Sequence, residues 1–266
     1  MNGAFSFGSY CPGDSPLHKM DPRAKLLLGC AFIAAVLCAQ GFAALGVVAL
    51  FVLAFYAISR VPPSKAAKSL APLLFISLFA SLLNLFVVQD GATLAQLGFI
   101  RISEGGVRQC LFIGARLVLM MMGMSLITMT TMTLDLTEAF ERLLSPFSRI
   151  GLPAHELGMI MGIALRFMPQ FASELVTIRR AQISRGASVA GGPAKSVRML
   201  ISLMVPLFAS AFRHAETLSA AMDARCYHGK VGRTRLHPLH FAPRDGVAVA
   251  VIALLFAGIF AVNALV

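Results

Sequence analysis

The sequence predicts an all-α integral membrane protein with about five transmembrane helices and a long cytoplasmic stretch of amphipathic coupling helices. Three observations carry this. Apolar residues make up 58% of the chain and charged residues only 13%, against roughly a quarter in soluble domains; mean hydropathy is +0.79. The apolar residues gather into runs close to the ~20 residues that cross a ~30 Å hydrocarbon core. Charge gathers elsewhere: the stretch from Arg142 to Arg244 holds 14 basic and 4 acidic residues, +10 of the formal +11.

The N-terminus is polar and bears Pro and Gly ahead of the first apolar run, so no cleavable secretory signal is expected and the first span serves as the targeting signal. Lys25 to Ser59 is too long for one crossing, since as one helix it would reach roughly 50 Å. Its polar interruption at Gln40-Gly41 divides it into spans near 24–39 and 42–59. A third run, Ala71 to Val88, stops at the turn-forming Gln89-Asp90-Gly91. The fourth, Leu111 to Met132, holds Arg116, which snorkels to the interface or, as an intramembrane charge, has a functional role. The last, Gly246 to Val266, has no charge after Asp245. This divides the chain into 1–132 (N-terminal segment and four spans), 133–244 (coupling helices) and 245–266 (final span).

Loop charges set the orientation. Lys19, Arg23 and Lys25 precede the first span and Arg60, Lys65 and Lys68 follow the second, whereas Arg101 and Arg108 after the third are balanced by Asp90 and Glu104. The positive-inside rule therefore places the N-terminus and the 133–244 region in the cytoplasm and the C-terminus outside. On a protein made mostly of spans, a basic cytoplasmic surface suits anionic lipid or an acidic protein partner rather than nucleic acid.

Within 133–244, Asp135 and Glu138 have capping-box spacing and open a short helix ending at Ser145-Pro146. Pro153 starts another, which carries Gly158-x-x-x-Gly162, a spacing for close helix approach. Pro169 is expected to bend or break it. Two rods follow, roughly Gln170 to Ile183 and Lys195 to Tyr227, the second kinked at Pro206. Apolar residues recur at three and four along the second rod, among them Leu203, Leu207, Phe208, Ala211 and Phe212; with Gly158 and Gly162 these are the candidate packing positions.

Each rod finishes on a small residue followed by arginine: Ser184-Arg185-Gly186 and Ala224-Arg225-Cys226. Arginine in a last turn and glycine beyond it form an ordinary C-cap. The repetition on successive rods points instead to a paired docking device, because a guanidinium grips a carboxylate bidentately and stays charged at any cellular pH. The cysteines form no C-x-x-C pair and the histidines do not share a helix face, so no metal site is expected. The methionines near Met120–Met124 read as flexible gap-fillers.

Here the sequence resembles the transmembrane T component of energy-coupling factor transporters, a branch of the ATP-binding-cassette importers. The resemblance is carried by the segment Gly8 to Leu26, with Asp21-Pro22-Arg23-Ala24-Lys25, by Thr130-Thr131 through Pro146, by Gly151-Leu152-Pro153, and by Leu165-Arg166-Phe167-Met168-Pro169. It implies a multi-pass protein of a prokaryotic cell membrane, non-catalytic, working with two ATPase subunits and a substrate-binding S component in uptake of vitamins or other micronutrients. It implies that Ser184, Arg185, Gly186, Ala224, Arg225 and Cys226 dock on the ATPases, where the family has Ala-Arg-Gly twice. No cofactor is expected on the chain itself, which lacks a G-x-x-x-x-G-K-[ST] loop; ATP is hydrolysed by the partners. Because Cys226 stands where the family has glycine, and a Cβ disfavours a left-handed conformation, the second rod is expected to run on about a turn towards Gly229. Two alternatives stay open. One is the permease of an ordinary ABC transporter. The other is a lipid-modifying membrane enzyme, against which stands the scarcity of clustered Asp, Glu or His beyond Asp135, Glu138 and Glu141.

Overall fold

The computed structural model describes residues 10–87, 90, 93–97, 100–151, 153–187, 192–229 and 242–265. The described elements are α1 (Pro22–Cys38), α2 (Phe42–Ser59), α3 (Pro63–Val87), β1 (Thr93–Leu97), β2 (Ile100–Ser103), α4 (Glu104–Thr130), α5 (Thr133–Leu144), a 3-10 turn (Ser145–Ile150), α6 (Ala154–Ser184), α7 (Pro193–Ala224) and α8 (Pro243–Leu265). The five expected spans coincide with α1, α2, α3, α4 and α8. By length and composition, α2, α4, α8 and the Lys195–Ala224 part of α7 are long and apolar enough to cross a membrane. At 17 residues α1 reaches ~26 Å, and the strongly apolar part of α3 is the shorter stretch Leu73–Leu85.

Several boundaries differ from the sequence reading. β1 and β2 pair antiparallel between α3 and α4, with Leu97 opposite Ile100; strands this short hold no long apolar run that would mark them in the sequence. α4 starts seven residues before Leu111, because Ser103 caps it by accepting from the Gly106 N–H at 3.0 Å. α5 starts two residues before Asp135, which lies in its first turn rather than at its cap. Pro169 neither ends nor divides α6, which is continuous over 31 residues, and Pro206 sits likewise inside α7. An interior proline removes one helical hydrogen bond but not the packing of its neighbours, and a long helix with a second helix alongside tolerates that loss.

The chain divides into two compact units, one comprising Leu144–Pro238 and the other Gly8–Leu143 with Leu239–Val266. In the larger unit α1, α2, α4 and α8 enclose a core of Phe32, Val36, Leu45, Val48, Phe112, Leu255 and Ile259. α1 and α4 approach closely because Gly29 and Gly123 carry no side chain: a Cβ at Gly123 would overlap the Phe32 ring, and one at Gly29 would lie 2.6 Å from Ile127 Cδ1.

Polar ties close the two ends of this unit. At one, the α1–α2 turn is held by Arg116, whose guanidinium donates to the Ala39 carbonyl and lies over the Phe112 ring. Asn263 on α8 donates to the Cys38 carbonyl at 2.8 Å. Arg116 therefore ties helices together at the α1–α2 turn, a role the sequence reading did not separate from snorkelling. At the other end, Asp21 caps α1 by accepting from the Arg23 N–H at 2.9 Å, with Pro22 in the first turn where its missing N–H costs nothing. Asp245 at the start of α8 accepts from the backbone N–H groups of Asp21 (3.1 Å) and Ala242 (2.8 Å). Lys25, 4% exposed, donates to the Thr130 carbonyl at 2.9 Å and to Thr131 Oγ1 at 3.3 Å. His18 in the N-terminal segment bonds to Ser15 (2.7 Å) and to the Cys11 carbonyl (2.9 Å), and Cys11 N–H donates to the Met129 carbonyl.

In the smaller unit α6 and α7 lie side by side. Tyr227 donates to Met159 Sδ at 2.9 Å, His214 meets Glu174 at 2.7 Å and Gln170 at 3.0 Å, and Gln182 reaches the Ser202 carbonyl at 3.4 Å. As the α6 partner advances, the α7 partner recedes, so the pair is antiparallel.

Candidate functional site

The two arginine-bearing helix ends have the same backbone. Helix α6 ends at Ser184, Arg185 is its C-cap (φ −85°, ψ 10°), and Gly186 is left-handed (φ +86°). The Gly186 N–H donates to the Ile183 carbonyl and the Ala187 N–H to the Gln182 carbonyl, both at 3.0 Å. These paired bonds define a Schellman cap. Helix α7 ends at Ala224, with Arg225 as C-cap (φ −92°, ψ 10°) and Cys226 left-handed (φ +54°). The Cys226 N–H donates to the Asp223 carbonyl (2.9 Å) and the Tyr227 N–H to the Met222 carbonyl (3.1 Å).

The expectation that α7 runs on towards Gly229 is therefore corrected. Cys226 takes the left-handed position although it has a Cβ. That conformation costs roughly 1–2 kcal/mol for a non-glycine residue, and here it closes two carbonyls that would otherwise lack partners. Tyr227, the residue after it, is half-buried and bonded to Met159, which holds the turn in place. Replacing Cys226 by Gly removes the left-handed strain without altering the cap. The expected result is a gain of about 0.5–1 kcal/mol, seen as a melting temperature about 2 °C higher; a lower one would mean that the thiol itself supports the turn.

Arg185 and Arg225 are both exposed, as are Ser184, Gly186, Ala224 and Cys226. Among the described residues neither guanidinium forms an ion pair. Because the helices are antiparallel, the two ends do not lie together. Gln182 bonds across to the residue 202 carbonyl, so Arg185 stands beside the early part of α7. The 20-odd residues from there to Arg225 span on the order of 35–40 Å. The site is a pair of like cationic tips at opposite ends of one antiparallel helical pair.

Of the candidate packing positions, Phe208 and Phe212 are 61% and 69% exposed. Leu203, Leu207 and Ala211 are half-buried. Gly158 is half-buried too, and a Cβ at Gly162 would meet nothing within 4 Å, so room remains there for another helix. At the middle of the pair His214 stacks on Phe167, with centroids 6.0 Å apart. Its hydrogen bond to Glu174 holds that carboxyl below the usual carboxylate range.

A family model described as cobalt transport protein, CbiQ, matches residues 13–237. Curated relatives agree along nearly the whole chain. The energy-coupling factor transporter transmembrane protein EcfT of Brevibacillus brevis is 42% identical over 251 residues, 94% of this chain and 95% of that protein. The protein of the same name from Bacillus subtilis is 37% identical over 265 residues, covering 99% and 100%, and that from Thermosediminibacter oceani 39% over 254 residues, covering 95% and 96%. The chain belongs to the EcfT/CbiQ family of energy-coupling factor transporter transmembrane proteins.

For a member of this family the structure adds what residue types alone did not disclose. Asp21, Lys25 and Asp245, unassigned in the sequence reading, join the N-terminus of α1, the C-terminus of α4 and the N-terminus of α8. A signal was present: Lys25 opens the first apolar run, four residues after Asp21, and a cation there needs polar partners where the fold buries it. Glu174 and His214 stand 40 residues apart, and neither carries a local motif that would have joined them. Among the described residues there is no cluster of three or more His, Cys, Asp or Glu able to hold a metal ion.

Proposed function

We propose that this chain is the non-catalytic coupling subunit of an energy-coupling factor importer, joining two cytoplasmic ATPases to a membrane-embedded S component that binds a micronutrient such as a vitamin. One observation carries the reading: two arginine-bearing Schellman caps of matching geometry stand exposed at opposite ends of the α6–α7 pair, neither arginine in an ion pair among the described residues. Two like tips at the ends of one helical pair suit two related motors, one at each end. Each guanidinium would enter a groove lined by acidic or carbonyl oxygens on one ATPase, where charge-assisted hydrogen bonds are stronger than neutral ones.

The loop charges support a cytoplasmic N-terminus and cytoplasmic α6 and α7. In this reading ATP is bound and hydrolysed by the partners, and closure of the two ATPases moves the tips. The helical pair passes that motion to the S component through the exposed face that includes Phe208 and Phe212. Transport reconstituted in vesicles tests it. ATP-driven uptake should require this chain, both ATPases and an S component together. Arg185→Ala or Arg225→Ala should each reduce ATPase co-purification at least tenfold. Uptake without an S component would favour an ordinary permease, and unchanged assembly in both variants would remove the docking role.

A further inference from the structure

Away from the helix ends, the larger unit carries an apolar groove of about 520 Å³ between α2 and α8. Leu50, Ala54 and Ile58 of α2 and Val251 and Leu254 of α8 wall it, and Arg244 stands in its lining. The two helices are antiparallel, since Asn263 near the end of α8 bonds to the Cys38 and Gln40 backbone just before α2 begins. Ile58 therefore lies towards the Arg244 end of the groove and Val47 towards the other. From Val47 to Ile58, and from Arg244 to Leu255, the lining covers ~17 Å of helix. That is close to half of a ~30 Å hydrocarbon core, so the groove is one leaflet deep.

Charge sits at one end only. Arg244 is exposed in the first turn of α8 and has no carboxylate partner among the described residues. Its neighbour Asp245 is buried and already engaged by two backbone N–H groups. A site of this form matches a molecule with a long apolar chain one leaflet in length and a negative charge at the interface. We propose that the α2–α8 groove holds an acyl chain of an anionic phospholipid, with its phosphate paired to Arg244. A groove of this volume has room to seat an acyl chain along its walls. One guanidinium near a membrane surface contributes a preference of about fivefold for anionic over zwitterionic lipid.

The complete transporter complex, purified in detergent and titrated with phosphatidylglycerol or phosphatidylcholine, gives the test by native mass spectrometry. The wild-type complex should retain phosphatidylglycerol about fivefold better than phosphatidylcholine. Arg244→Gln should bring the two level, Arg244→Lys should restore the preference, and Ala54→Trp should reduce retention of both by filling the groove. Equal retention of the two lipids by the wild type, or an unaltered preference in R244Q, overturns the proposal. So does an Ala54→Trp complex that keeps its lipid but releases a protein subunit, which would assign the groove to a protein partner.

Discussion

Reversing both tip charges, Arg185→Glu together with Arg225→Glu, is expected to abolish ATPase binding and ATP-driven uptake, while either reversal alone leaves measurable binding through the other tip. The separation of the tips decides this. Sites more than 7–10 Å apart with no shared partners contribute additively, and these lie on the order of 35–40 Å apart along α7. A buried interfacial arginine commonly carries 2–4 kcal/mol, about 30-fold to 1,000-fold in affinity per tip. The double variant should therefore fall below detection where each single variant is weakened. Because both side chains are exposed and the caps are made by backbone groups, the substitutions should leave the melting temperature within about 2 °C. Binding of each ATPase to the detergent-purified chain measures the effect. A double variant that still binds either ATPase as the wild type does would mean that the tips are not the docking device.

Lys25→Met should destabilise the larger unit by about 3–5 kcal/mol, the range seen when one member of a buried polar or charged set is removed. The side chain is 4% exposed and bonds to the Thr130 carbonyl and Thr131 hydroxyl. Methionine fills a similar volume but leaves that carbonyl without this donor in an apolar setting, and it removes the positive charge that faces Asp21, Asp135 and Asp245. Burial already raises the Asp135 carboxyl above its usual range, with Lys25 opposing the rise. Loss of the lysine should therefore move Asp135 further towards its protonated form. At 2–4 °C per kcal/mol, thermal unfolding should begin roughly 10 °C lower. Lys25→Arg, which keeps the charge, should recover part of this. A methionine variant as stable as the wild type would show the contacts to be dispensable.

Much of this protein was legible in order along the chain. The apolar runs that became α2, α4 and α8 are long and nearly free of charge, and hydropathy over such lengths reflects the same transfer free energy that puts a helix in lipid. The two arginine ends were visible because a helix stop is a local event, written in a few adjacent residues. The break expected at Pro169 and the extension expected past Cys226 were misread for a common reason. Each residue carries an intrinsic backbone preference, worth roughly 1–3 kcal/mol, that neighbouring bonds outweigh. At Cys226 those bonds are the two cap hydrogen bonds and the Tyr227–Met159 contact.

By itself, then, the sequence determined which segments favour lipid, where the charge concentrates, and that two helices end in the same arginine-bearing signature, because each depends on the composition of a short stretch. Only the tertiary structure decided that those ends point away from each other, that Lys25 reaches the last turn of α4, and that Arg116 holds the α1–α2 turn. These are pairings between residues 77 to 106 positions apart or between whole helices. They depend on how helices lie against one another, and hydropathy and helix period do not specify that arrangement.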